Sequence, residues 1–438
     1  MANTFLSRSN SSGTSTQKGT ISVWIKGSEE PSGNNQTTLA CWGNANNHGA
    51  LIWNGGDKID AFDYQSGYAS QLQTNALLRD SSAWYHIVYA WDTTLSTAND
   101  RQKIYINGIE QTYSTRTNYS TNAATSWNAN SYSMRVGGLN SSSYFNGLMS
   151  HIHFIDGIAY APTLFGETDS TTGQWKIKTS PSVTYGNNGF FVLKDGITIT
   201  DSSPNSNNFS LSGGTLTKTE DCPSNNFATL NPLLDVNAVP TFSNGNTTIV
   251  GSSSGGARLS GSSISVGTGK WYYEIKTTVH GSQPYIGVID AQSNIRRNSS
   301  YFVAASSGSN DSGYAVNMSG DIYHDNSSTY ASNIGSISTG DILGFAVDLT
   351  TAQKTCTIYK NGTSMRTFNL ANPSSGNYIL GVCSISNSTS AKCEVNFGNG
   401  KFGTTAVSSA GTNASANGIF EYNVPSGYSA LSTKGLNL

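Results

Sequence analysis

Short runs that alternate apolar and polar residues recur along the whole chain and constrain its fold more than any other feature. In residues 84–91 (WYHIVYAW), every second side chain falls on the same side of the run. A period of two is typical of a β-strand with one buried face. Patterns with a helical period are confined to short stretches such as residues 161–167. The sequence therefore predicts an all-β protein.

The low charge content supports this prediction and excludes several classes of protein. Charged residues make up 11% of the chain and the formal net charge is −2, whereas a soluble domain carries about 25% charged residues. Hydrophobic residues make up 36% and aromatic residues 11%, a balance opposite to that of disordered chains. We therefore exclude a nucleic-acid-binding protein, a charged helical bundle and a coiled coil. Because no run of ~18 apolar residues is present, we expect no membrane span.

The N-terminus and the cysteines indicate where the chain is made. The first ten residues, MANTFLSRSN, lack a basic region followed by an apolar run, so we expect no signal peptide. The cysteines are odd in number and lack C-x-x-C spacing, which argues against a zinc site or a disulfide framework. We expect free thiols in a reducing cytosol at Cys41, Cys222, Cys356, Cys383 and Cys393.

The strand-like runs form two blocks separated by a polar stretch. Residues 201–214 are rich in Ser and Asn and poor in apolar residues, which is typical of a linker. We expect a first β-sandwich over residues 1–200, a linker over 201–245, a second sandwich over 246–400, and a polar tail with an aromatic C-terminal segment over 401–438.

One pattern occurs in both blocks. The strings 104-IYING-108 and 358-IYKNG-362 each place Asn-Gly after a strand, and each follows a strand that ends in Asp, within 89–94 and 345–351. Asn-Gly supplies the positive φ angles that a two-residue hairpin turn needs. A common hairpin turn explains either string alone, but their shared order favours two sandwiches of related topology.

Each block resembles a known domain family. The first block resembles the laminin-G-like, concanavalin A-like lectin and glucanase sandwich, on the strings 20-TISVWIK-26, 84-WYHIVYAWDTT-94, 104-IYING-108 and 146-NGLMSHIHFIDG-157. The second resembles a SPRY domain, on the strings 267-GTGKWYYEIK-276, 286-IGV-288, 313-GYAVNMSGDIYHD-325, 340-GDILGFAVDL-349 and 358-IYKNG-362. The resemblance implies two concanavalin A-like antiparallel β-sandwiches of the jelly-roll type.

The segments around the two blocks resemble structural proteins of tailed phages, notably those of marine bacteria such as cyanobacteria. The strings that carry this resemblance are 155-IDGIAYAPTLFGETDSTTGQWKIK-178, 185-YGNNGFFVL-193, 223-PSNNFATLNPL-233 and 425-PSGYSALSTKGLNL-438. It implies a virion protein, located in a tail fibre or on the particle surface and made in the cytoplasm of a bacterial host. The implied partners are other virion proteins and a host-surface glycan or receptor, and fibre proteins commonly form homotrimers.

Catalytic motifs are weak, and we predict that the chain is not an enzyme. Glycosidases with the concanavalin A-like fold carry a Glu-x-Asp-x-x-Glu string on one strand, because their mechanism needs paired carboxylates. Here Glu167 and Asp169 begin such a string, but Thr172 replaces the second glutamate. His151 and His153 share one face of a strand and could bind a metal, but no third ligand lies near, which favours packing. We find no phosphate-binding loop. We expect no cofactor, and calcium is the one exception that the sequence allows.

Calcium is the stronger metal candidate. Laminin-G-like lectins often hold calcium with loop carboxylates and carbonyls, as a hard cation requires. Asp57, Asp60 and Asp63 cluster around residues 53–64 and are the candidate ligands. A surface hairpin with scattered acidic residues is the alternative, and we favour it.

Ligand binding by loops is the main functional prediction. Amides, hydroxyls and rigid aromatic rings suit both sugars and adaptable protein surfaces, and loops between strands carry function in sandwiches. The candidate contacts in the first block are Tyr64, Tyr68, Tyr113, Tyr119, Trp127 and Tyr132. Those in the second block are Tyr301, Tyr323, His324 and Tyr330.

Three hypotheses follow for function. The first is a non-enzymatic phage adhesin whose sandwiches bind a host glycan or another surface partner. The second is a structural protein, a capsid decoration or fibre segment, that contacts other virion proteins alone. The third, a glycan-degrading enzyme, is disfavoured by the missing glutamate.

We also predict a buried core position for Trp24, Trp84, Trp91, Trp271 and Phe345.

Overall fold

The computed structural model divides the chain into two compact units, unit 1 (Met1–Lys218) and unit 2 (Thr219–Leu438). It describes residues 4–28, 35–139, 143–194, 196–234, 241–251, 258–279, 284–292, 313–324, 327–385, 391–412 and 417–437. Regular structure in these ranges consists of β-strands and four short 3-10 turns, at Ala98–Asp100, Ser126–Asn128, Pro162–Leu164 and Gly435–Asn437. None of the helices described there is long and apolar enough to cross a membrane. The all-β prediction is confirmed.

Unit 1 is a sandwich of two antiparallel sheets. In chain order its described strands are β1 (Phe5–Ser9), β2 (Lys18–Gly27), β3 (Gln36–Asn44), β4 (Asn47–Trp53), β5 (Ile59–Gln65), β6 (Tyr68–Thr74), β7 (Tyr85–Asp92), β8 (Gln102–Ile106), β9 (Ile109–Glu110), β10 (Tyr113–Thr117), β11 (Ser133–Val136), β12 (Gly147–Asp156), β13 (Gly166–Thr168), β14 (Trp175–Ile177), β15 (Phe190–Val192) and β16 (Ser210–Ser212). Among them, eight strands form one sheet in the order β10-β6-β5-β4-β3-β11-β1-β16. Six form the other, in the order β15-β12-β2-β7-β8-β9, and β13 and β14 form a hairpin.

Unit 2 has the same architecture. Its described strands are β17 (Thr241–Ser243), β18 (Thr248–Val250), β19 (Arg258–Ser260), β20 (Ser265–Val266), β21 (Lys270–Val279), β22 (Tyr285–Asp290), β23 (Gly313–Val316), β24 (Ile322–His324), β25 (Ser327–Ala331), β26 (Ile342–Asp348), β27 (Lys354–Lys360), β28 (Thr363–Leu370), β29 (Tyr378–Ile385), β30 (Lys392–Asn396), β31 (Lys401–Phe402), β32 (Thr405–Ala406) and β33 (Ser429–Ala430). One sheet has the order β17-β18-β30-β21-β26-β27-β28, with β33 paired to β21. The other has the order β19-β29-β22-β23-β24-β25, with β20 paired to β29, and β31 and β32 pair with each other.

The period-two alternation places one face of each strand in the core. In β2, Ile21, Val23 and Ile25 point into a cluster shared by both sheets of unit 1, and the side chains between them point outward. A second shared cluster fills unit 2. Apolar burial of this kind is the main stabilising contribution to a sandwich. The five predicted core aromatics, Trp24, Trp84, Trp91, Trp271 and Phe345, are all buried.

The repeated Asn-Gly pattern forms the same turn in both units. Asn107 and Asn361 both have φ 48°, and the glycines that follow them, Gly108 and Gly362, have φ 81° and 80°. Successive positive φ angles define a type I′ hairpin turn. In each unit the asparagine Oδ1 also accepts a hydrogen bond, at 2.9 Å, from a backbone N–H of the neighbouring strand. The predicted hairpins are confirmed.

A second corner is also shared by the two units. Lys18 pairs with Asp92 at 3.0 Å, and Lys270 pairs with Asp348 at 2.9 Å. In both pairs the lysine lies opposite the aspartate in the register of neighbouring strands. Each aspartate Oδ1 accepts a hydrogen bond, at 2.9 Å, from the backbone N–H of the threonine two residues later. The two sandwiches therefore share this lysine–aspartate contact as well as the Asn-Gly turn, which agrees with the related topology that the sequence repeat predicts.

The expected linker over residues 201–245 is corrected by the structure, because both of its ends are folded. Strand β16 extends the eight-stranded sheet of unit 1 by pairing with β1, and Phe209 is buried. Asp201 holds the segment by accepting backbone hydrogen bonds from Phe191, Ser203 and Asn207 at 2.8 Å each. Side chains of this kind satisfy turn backbone groups without apolar residues, so the polar composition was misleading.

The expected polar tail over residues 401–438 also packs into its unit. Phe420 and Ala430 are buried on the outer face of the sheet that contains β21. Strand β33 pairs in parallel with the first residues of β21, before the point where β30 pairs with it. The buried Glu274 accepts hydrogen bonds from the backbone N–H groups of Glu421 and Tyr422, at 2.8 and 2.9 Å.

We expect the Glu274→Ala substitution to release the C-terminal segment. The two N–H groups lose their acceptor, and each buried polar group left unpaired costs about 1–3 kcal/mol, so we expect a loss of stability of about 2–4 kcal/mol. Limited proteolysis should then cleave residues 417–431 faster than in the parent chain. Glu274→Gln keeps one acceptor oxygen and serves as the matched control with a smaller effect. Equal cleavage of all three proteins would show that Glu274 does not hold the segment.

Candidate functional site

An aromatic ladder crosses the outer face of the eight-stranded sheet of unit 1, the face turned away from the shared core. We give this name to five rings, Trp42, His48, Phe62, Tyr64 and Tyr68. The ring centroids of successive members lie 5.1 Å apart from Trp42 to His48, 5.6 Å from His48 to Tyr64 and 5.4 Å from Tyr64 to Tyr68. Phe62 lies 5.7 Å from both His48 and Tyr68. Such separations are those of interacting aromatic pairs.

The ladder follows from alternation in three strands and a register shift in the fourth. In β3, β4 and β5 the register brings the outward positions Trp42, His48 and Tyr64 side by side. A register shift between β5 and β6 then places Tyr68 opposite Tyr64. Ala40, Ala50 and Ile52 occupy outward positions and are buried beneath and between the rings. The ladder therefore rests on a small apolar floor that holds its rings in place.

The rings differ in exposure and in polar capacity. Tyr68 is 53% exposed, whereas Phe62 is buried and supports its neighbours. Burial lowers the pKa of His48, which favours the neutral ring near pH 7. Nδ1 of His48 contacts the carbonyl of Asn44 at 3.2 Å, which requires the proton on Nδ1 and leaves Nε2 as an acceptor.

A buried carboxyl group lies beside the Tyr68 end of the ladder. Asp60 on β5 points to the outer face, where Gln71 Nε2 donates to its Oδ2 at 3.0 Å. Burial raises the pKa of Asp60 to about 6. Its Oδ1 atom is buried and has no hydrogen-bond partner among the described residues. A carboxyl group and an amide beside a row of aromatic rings are groups that can bind sugar hydroxyls.

The other end of the ladder continues into a cation and a further pair of rings. The guanidinium carbon of Arg135 on β11 lies 5.3 Å from the centroid of Trp42 and 5.6 Å from that of Phe5. Phe5 in turn lies 6.1 Å from Tyr144. The line of rings and guanidinium thus crosses strands β6, β5, β4, β3, β11 and β1.

A smaller aromatic cluster lies in unit 2. The ring of His324 stacks on Tyr314 with centroids 4.0 Å apart and planes 6° apart. Tyr330 approaches both edge-on, at 4.8 and 5.2 Å, and is 37% exposed. Its hydroxyl donates to the carbonyl of Asn369 at 2.9 Å. The structure thus brings the predicted residues His324 and Tyr330 together.

Other predicted ligand contacts are corrected to packing roles. Tyr119 and Trp127 are fully buried in the core of unit 1, where no ligand reaches them. Tyr113, Tyr132 and Tyr323 are half-buried against apolar clusters. Of the first-block predictions, Tyr64 and Tyr68 lie in the ladder. Tyr301 lies outside the described residues.

The three predicted calcium ligands do not come together. Asp60 and Asp63 are three positions apart in β5, so they point to opposite faces of the sheet. Asp63 points inward, where it accepts hydrogen bonds from Ser126 N–H at 2.9 Å and Tyr119 hydroxyl at 3.2 Å. Asp57 pairs with Arg79 at 3.1 Å. Within the described ranges no group of three or more His, Cys, Asp or Glu side chains could hold a metal ion, and these residues do not fit calcium.

The partial glycosidase string forms a surface hairpin. Glu167 and Asp169 both pair with Lys176, at 3.3 and 3.2 Å. Backbone N–H groups of Thr172 and Thr171 and the Lys176 ammonium lower the pKa of Asp169 to about 2. This carboxylate closes the turn between β13 and β14, which is a structural role.

A serine–histidine pair is present, but its hydrogen bonds oppose nucleophilic catalysis. His86 Nδ1 accepts a hydrogen bond from the indole N–H of Trp175 at 3.0 Å, so the neutral ring carries its proton on Nε2. Nε2 lies 2.8 Å from Ser22 Oγ and therefore donates to it rather than accepting its proton. Burial lowers the pKa of His86 to about 3. The ring also stacks on Trp24 at 4.7 Å.

The remaining histidine pair is also part of the packing. His153 stacks on Phe191 with centroids 3.9 Å apart, and its Nδ1 lies 2.9 Å from the hydroxyl of Tyr185. His151 lies at a β-bulge with φ 48° and 5.5 Å from the ring of Phe191. These contacts agree with the packing role that we favoured from the sequence.

Sequence reasoning missed Trp42, His48, Phe62 and Arg135. The sequence did contain a signal for them. In a strand, residues two apart share a face, so the alternation in residues 38–42 and 50–53 indicates which side chains point outward. The ladder itself depends on the spatial order of the strands, which the sequence does not state.

Comparisons with known proteins agree with this architecture. Residues 3–159 match the profile of a laminin G family described as the concanavalin A-like lectin/glucanases superfamily, and residues 270–400 match that of the SPRY domain. Unit 1 therefore contains a laminin G/concanavalin A-like domain that includes the whole ladder, and unit 2 contains a SPRY domain. The resemblance of each block to its domain family is confirmed. No curated protein matches the chain in sequence.

Solved structures with a similar fold include three of different origin. The SPRY domain of human HERC1 is 18% identical, with 34% of this chain and 87% of that chain covered and a TM-score of 0.26. Domain 4 of AbnA, a GH43 extracellular arabinanase from Geobacillus stearothermophilus in complex with arabinotriose, is 20% identical, with 34% and 65% covered and a TM-score of 0.28. Domains LG4-5 of the mouse laminin alpha1 chain are 9% identical, with 90% and 84% covered and a TM-score of 0.32.

Proposed function

We propose that the chain is a non-enzymatic surface protein of a tailed-phage particle that binds a host-surface glycan through the aromatic ladder. The ladder is the observation that carries this proposal, because it presents a row of contacting rings, an acceptor nitrogen and a buried carboxyl group on one rigid sheet face. Laminin G and SPRY domains are classes that bind glycans or proteins, which supports a binding role. The resemblance of residues 155–178 and 425–438 to phage structural proteins supports the setting.

The proposed setting also defines the partners. A virion protein of this kind is made in the cytoplasm of the bacterial host and attaches to other virion proteins in a tail fibre or at the particle surface. We propose a homo-oligomer, a trimer if it belongs to a fibre, because several weak sugar sites on one particle bind with much greater avidity. The cluster of His324 and Tyr330 in unit 2 is a second contact surface for a glycan or a protein.

The absence of catalysis is part of the proposal. It is supported by the hairpin role of Glu167 and Asp169, which are tied to Lys176. It is also supported by the proton position on His86, which prevents this ring from activating Ser22. Release of reducing ends from host polysaccharide by the purified chain would instead identify a glycan-degrading enzyme.

Glycan binding by the intact chain and its variants tests the proposal. We expect binding to host envelope polysaccharide on an array, and we expect Trp42→Ala and Tyr68→Ala each to weaken it at least about fivefold, since truncating an aromatic anchor costs more than ~1 kcal/mol. Ile109→Ala is the matched control, because Ile109 is 69% exposed and lies on the other sheet of unit 1. Its binding should equal that of the parent chain.

The variants also separate the alternatives. A loss in Tyr330→Ala without a loss in Trp42→Ala would transfer the binding site to the cluster in unit 2. No binding to any host polysaccharide would favour the purely structural role, in which the sandwiches contact other virion proteins alone.

A further inference from the structure

Arg135 differs from the other arginines of unit 1 in how its hydrogen-bond donors are used. Arg101 donates to four oxygen atoms of the loops around it, at 2.5–2.9 Å. Arg8 donates to three acceptors, Arg116 is held by neighbouring amides and carbonyls, and Arg79 pairs with a carboxylate. Arg8, Arg101 and Arg116 are therefore held by several acceptors each, and the charge of Arg79 is paired with that of Asp57.

The donors of Arg135 are largely unused. Nη1 donates to the carbonyl of Leu139 at 2.6 Å, and Nε lies 3.5 Å from Ser133 Oγ, which is at the limit of a hydrogen bond. A guanidinium has five N–H donors, so at least three remain. Within the part of the chain that the structure describes, Arg135 forms no ion pair with a carboxylate.

The position of Arg135 gives these donors a fixed direction. Its guanidinium lies between the rings of Trp42 and Phe5, at 5.3 and 5.6 Å from their centroids. Contact with two aromatic rings restricts the rotation of this planar group. Because Trp42 is also the last ring of the ladder, a chain-like ligand that lies along the ladder reaches Arg135.

The charges at the two ends of the ladder are opposite. Asp60 lies beside the Tyr68 end, and Arg135 lies beyond the Trp42 end. Asp60 on β5 and Arg135 on β11 are separated by three strand spacings, or about 14 Å at ~4.8 Å each. An extended ligand therefore meets a carboxyl group at one end and an uncompensated cation at the other.

We propose that the ladder takes a carboxylated oligosaccharide of the uronic acid class, and that Arg135 is the specificity-determining residue that binds its carboxylate. The planar fork of a guanidinium matches a carboxylate with two parallel hydrogen bonds, and such charge-assisted bonds are stronger than neutral ones. The sugar rings pack on the ladder, one uronate carboxylate meets Arg135, and sugar hydroxyls face Asp60. This inference rests on the proposed function, since it names the ligand class of the same face.

Matched pairs of polysaccharides test the inference with the intact chain. The probes are oligogalacturonate, alginate and hyaluronate oligosaccharides, each beside its carboxyl-reduced neutral form. We expect at least one carboxylated oligosaccharide to bind about tenfold or more tightly than its neutral form, with a preference that falls as NaCl is raised. A sulfated glycan without carboxyl groups serves as a further probe, and preferential binding of sulfate over carboxylate would overturn the assignment.

Substitutions of Arg135 separate its charge from its packing. Arg135→Met keeps an apolar chain between the two rings. It should reduce the affinity for the carboxylated oligosaccharide to that for the neutral form. Arg135→Lys keeps the charge without the fork and should restore part of the preference. Unchanged thermal unfolding of both variants would show that the effect does not come from loss of folding.

The outcomes distinguish the two proposals. If carboxylated and neutral forms bind equally, and Trp42→Ala weakens both, the proposed function stands and the assignment of Arg135 is wrong. If neither form of any pair binds and the host polysaccharides also fail to bind, both proposals are wrong. If the preference for carboxylate persists in Arg135→Met, another cation recognises the acid and the inference is overturned.

Discussion

Replacing Trp127 by alanine is expected to lower the free energy of unfolding of unit 1 by about 3–5 kcal/mol, the usual cost of removing a large buried aromatic side chain. Trp127 is fully buried and lies 5.8 Å from the rings of both Tyr89 and Trp91. It also covers Gly49, where a Cβ atom would lie 2.8 Å from the indole ring. Truncation leaves a cavity that these rigid neighbours fill only in part.

Denaturant unfolding followed by tryptophan fluorescence measures this effect. The signal reports mainly on unit 1, because every tryptophan except Trp271 lies there. Trp127→Phe is the matched control with a smaller loss, since the indole N–H of Trp127 has no hydrogen-bond partner among the described residues. If Trp127→Ala were as stable as the parent chain but no longer bound glycan, Trp127 would be a ligand contact rather than a core residue.

Acid is expected to destabilise unit 1 through its buried neutral histidines. Burial lowers the pKa of His86 to about 3 and that of His153 well below its ordinary value. Below pH ~6.5, the ordinary pKa of histidine, the unfolded chain binds a proton that the folded chain excludes. The stability contributed by neutral His86 is therefore fully present above pH ~6.5 and is lost as the pH falls towards 3, by up to about 5 kcal/mol at ~1.4 kcal/mol per pH unit.

The titration of Asp60 changes the stability of unit 1 in the opposite direction, so the effect of His86 has to be measured separately. Burial raises the pKa of Asp60 to about 6, and its contribution is present at low pH and lost as the pH rises from its unfolded value through about 6. We therefore compare the parent chain with His86→Gln, whose amide can accept from Trp175 and donate to Ser22 without titrating. The stability difference between the two proteins should shift by several kcal/mol in favour of His86→Gln between pH 7 and pH 4.

The same pH series could also contradict the prediction for His86. A stability difference that stays constant over this range would mean that His86 can be protonated in the folded state. That result would remove the argument that its hydrogen bonds prevent it from activating Ser22.

The fold was predictable where local pattern and burial agree. Strand alternation in residues 20–26 and 84–91 placed their apolar side chains correctly, and Asn107 and Asn361 marked hairpins that their positive φ angles require. The linker and the tail were not predictable from composition. Asp201 and Glu274 order these segments by hydrogen bonds to backbone groups far away in sequence, which an apolar pattern does not record.

The candidate site was predictable only in part, for a related reason. Tyr64 and Tyr68 stand out as aromatics near a turn, and both belong to the ladder. Tyr119 and Trp127 lie in a similar polar context, but Tyr119 donates to the buried Asp63 and Trp127 fills the core. Which aromatics face outward depends on pairing between strands, and Arg135 reaches Trp42 because β11 lies beside β3.

A crystal structure of the intact chain with a bound oligosaccharide would show whether the ladder binds a glycan without cleaving it. We expect sugar rings packed on Trp42 and Tyr68, across strands β3 to β6, with a uronate carboxylate at Arg135 and every glycosidic bond intact. A ligand seated only among the loops of unit 2, or found cleaved, would contradict it.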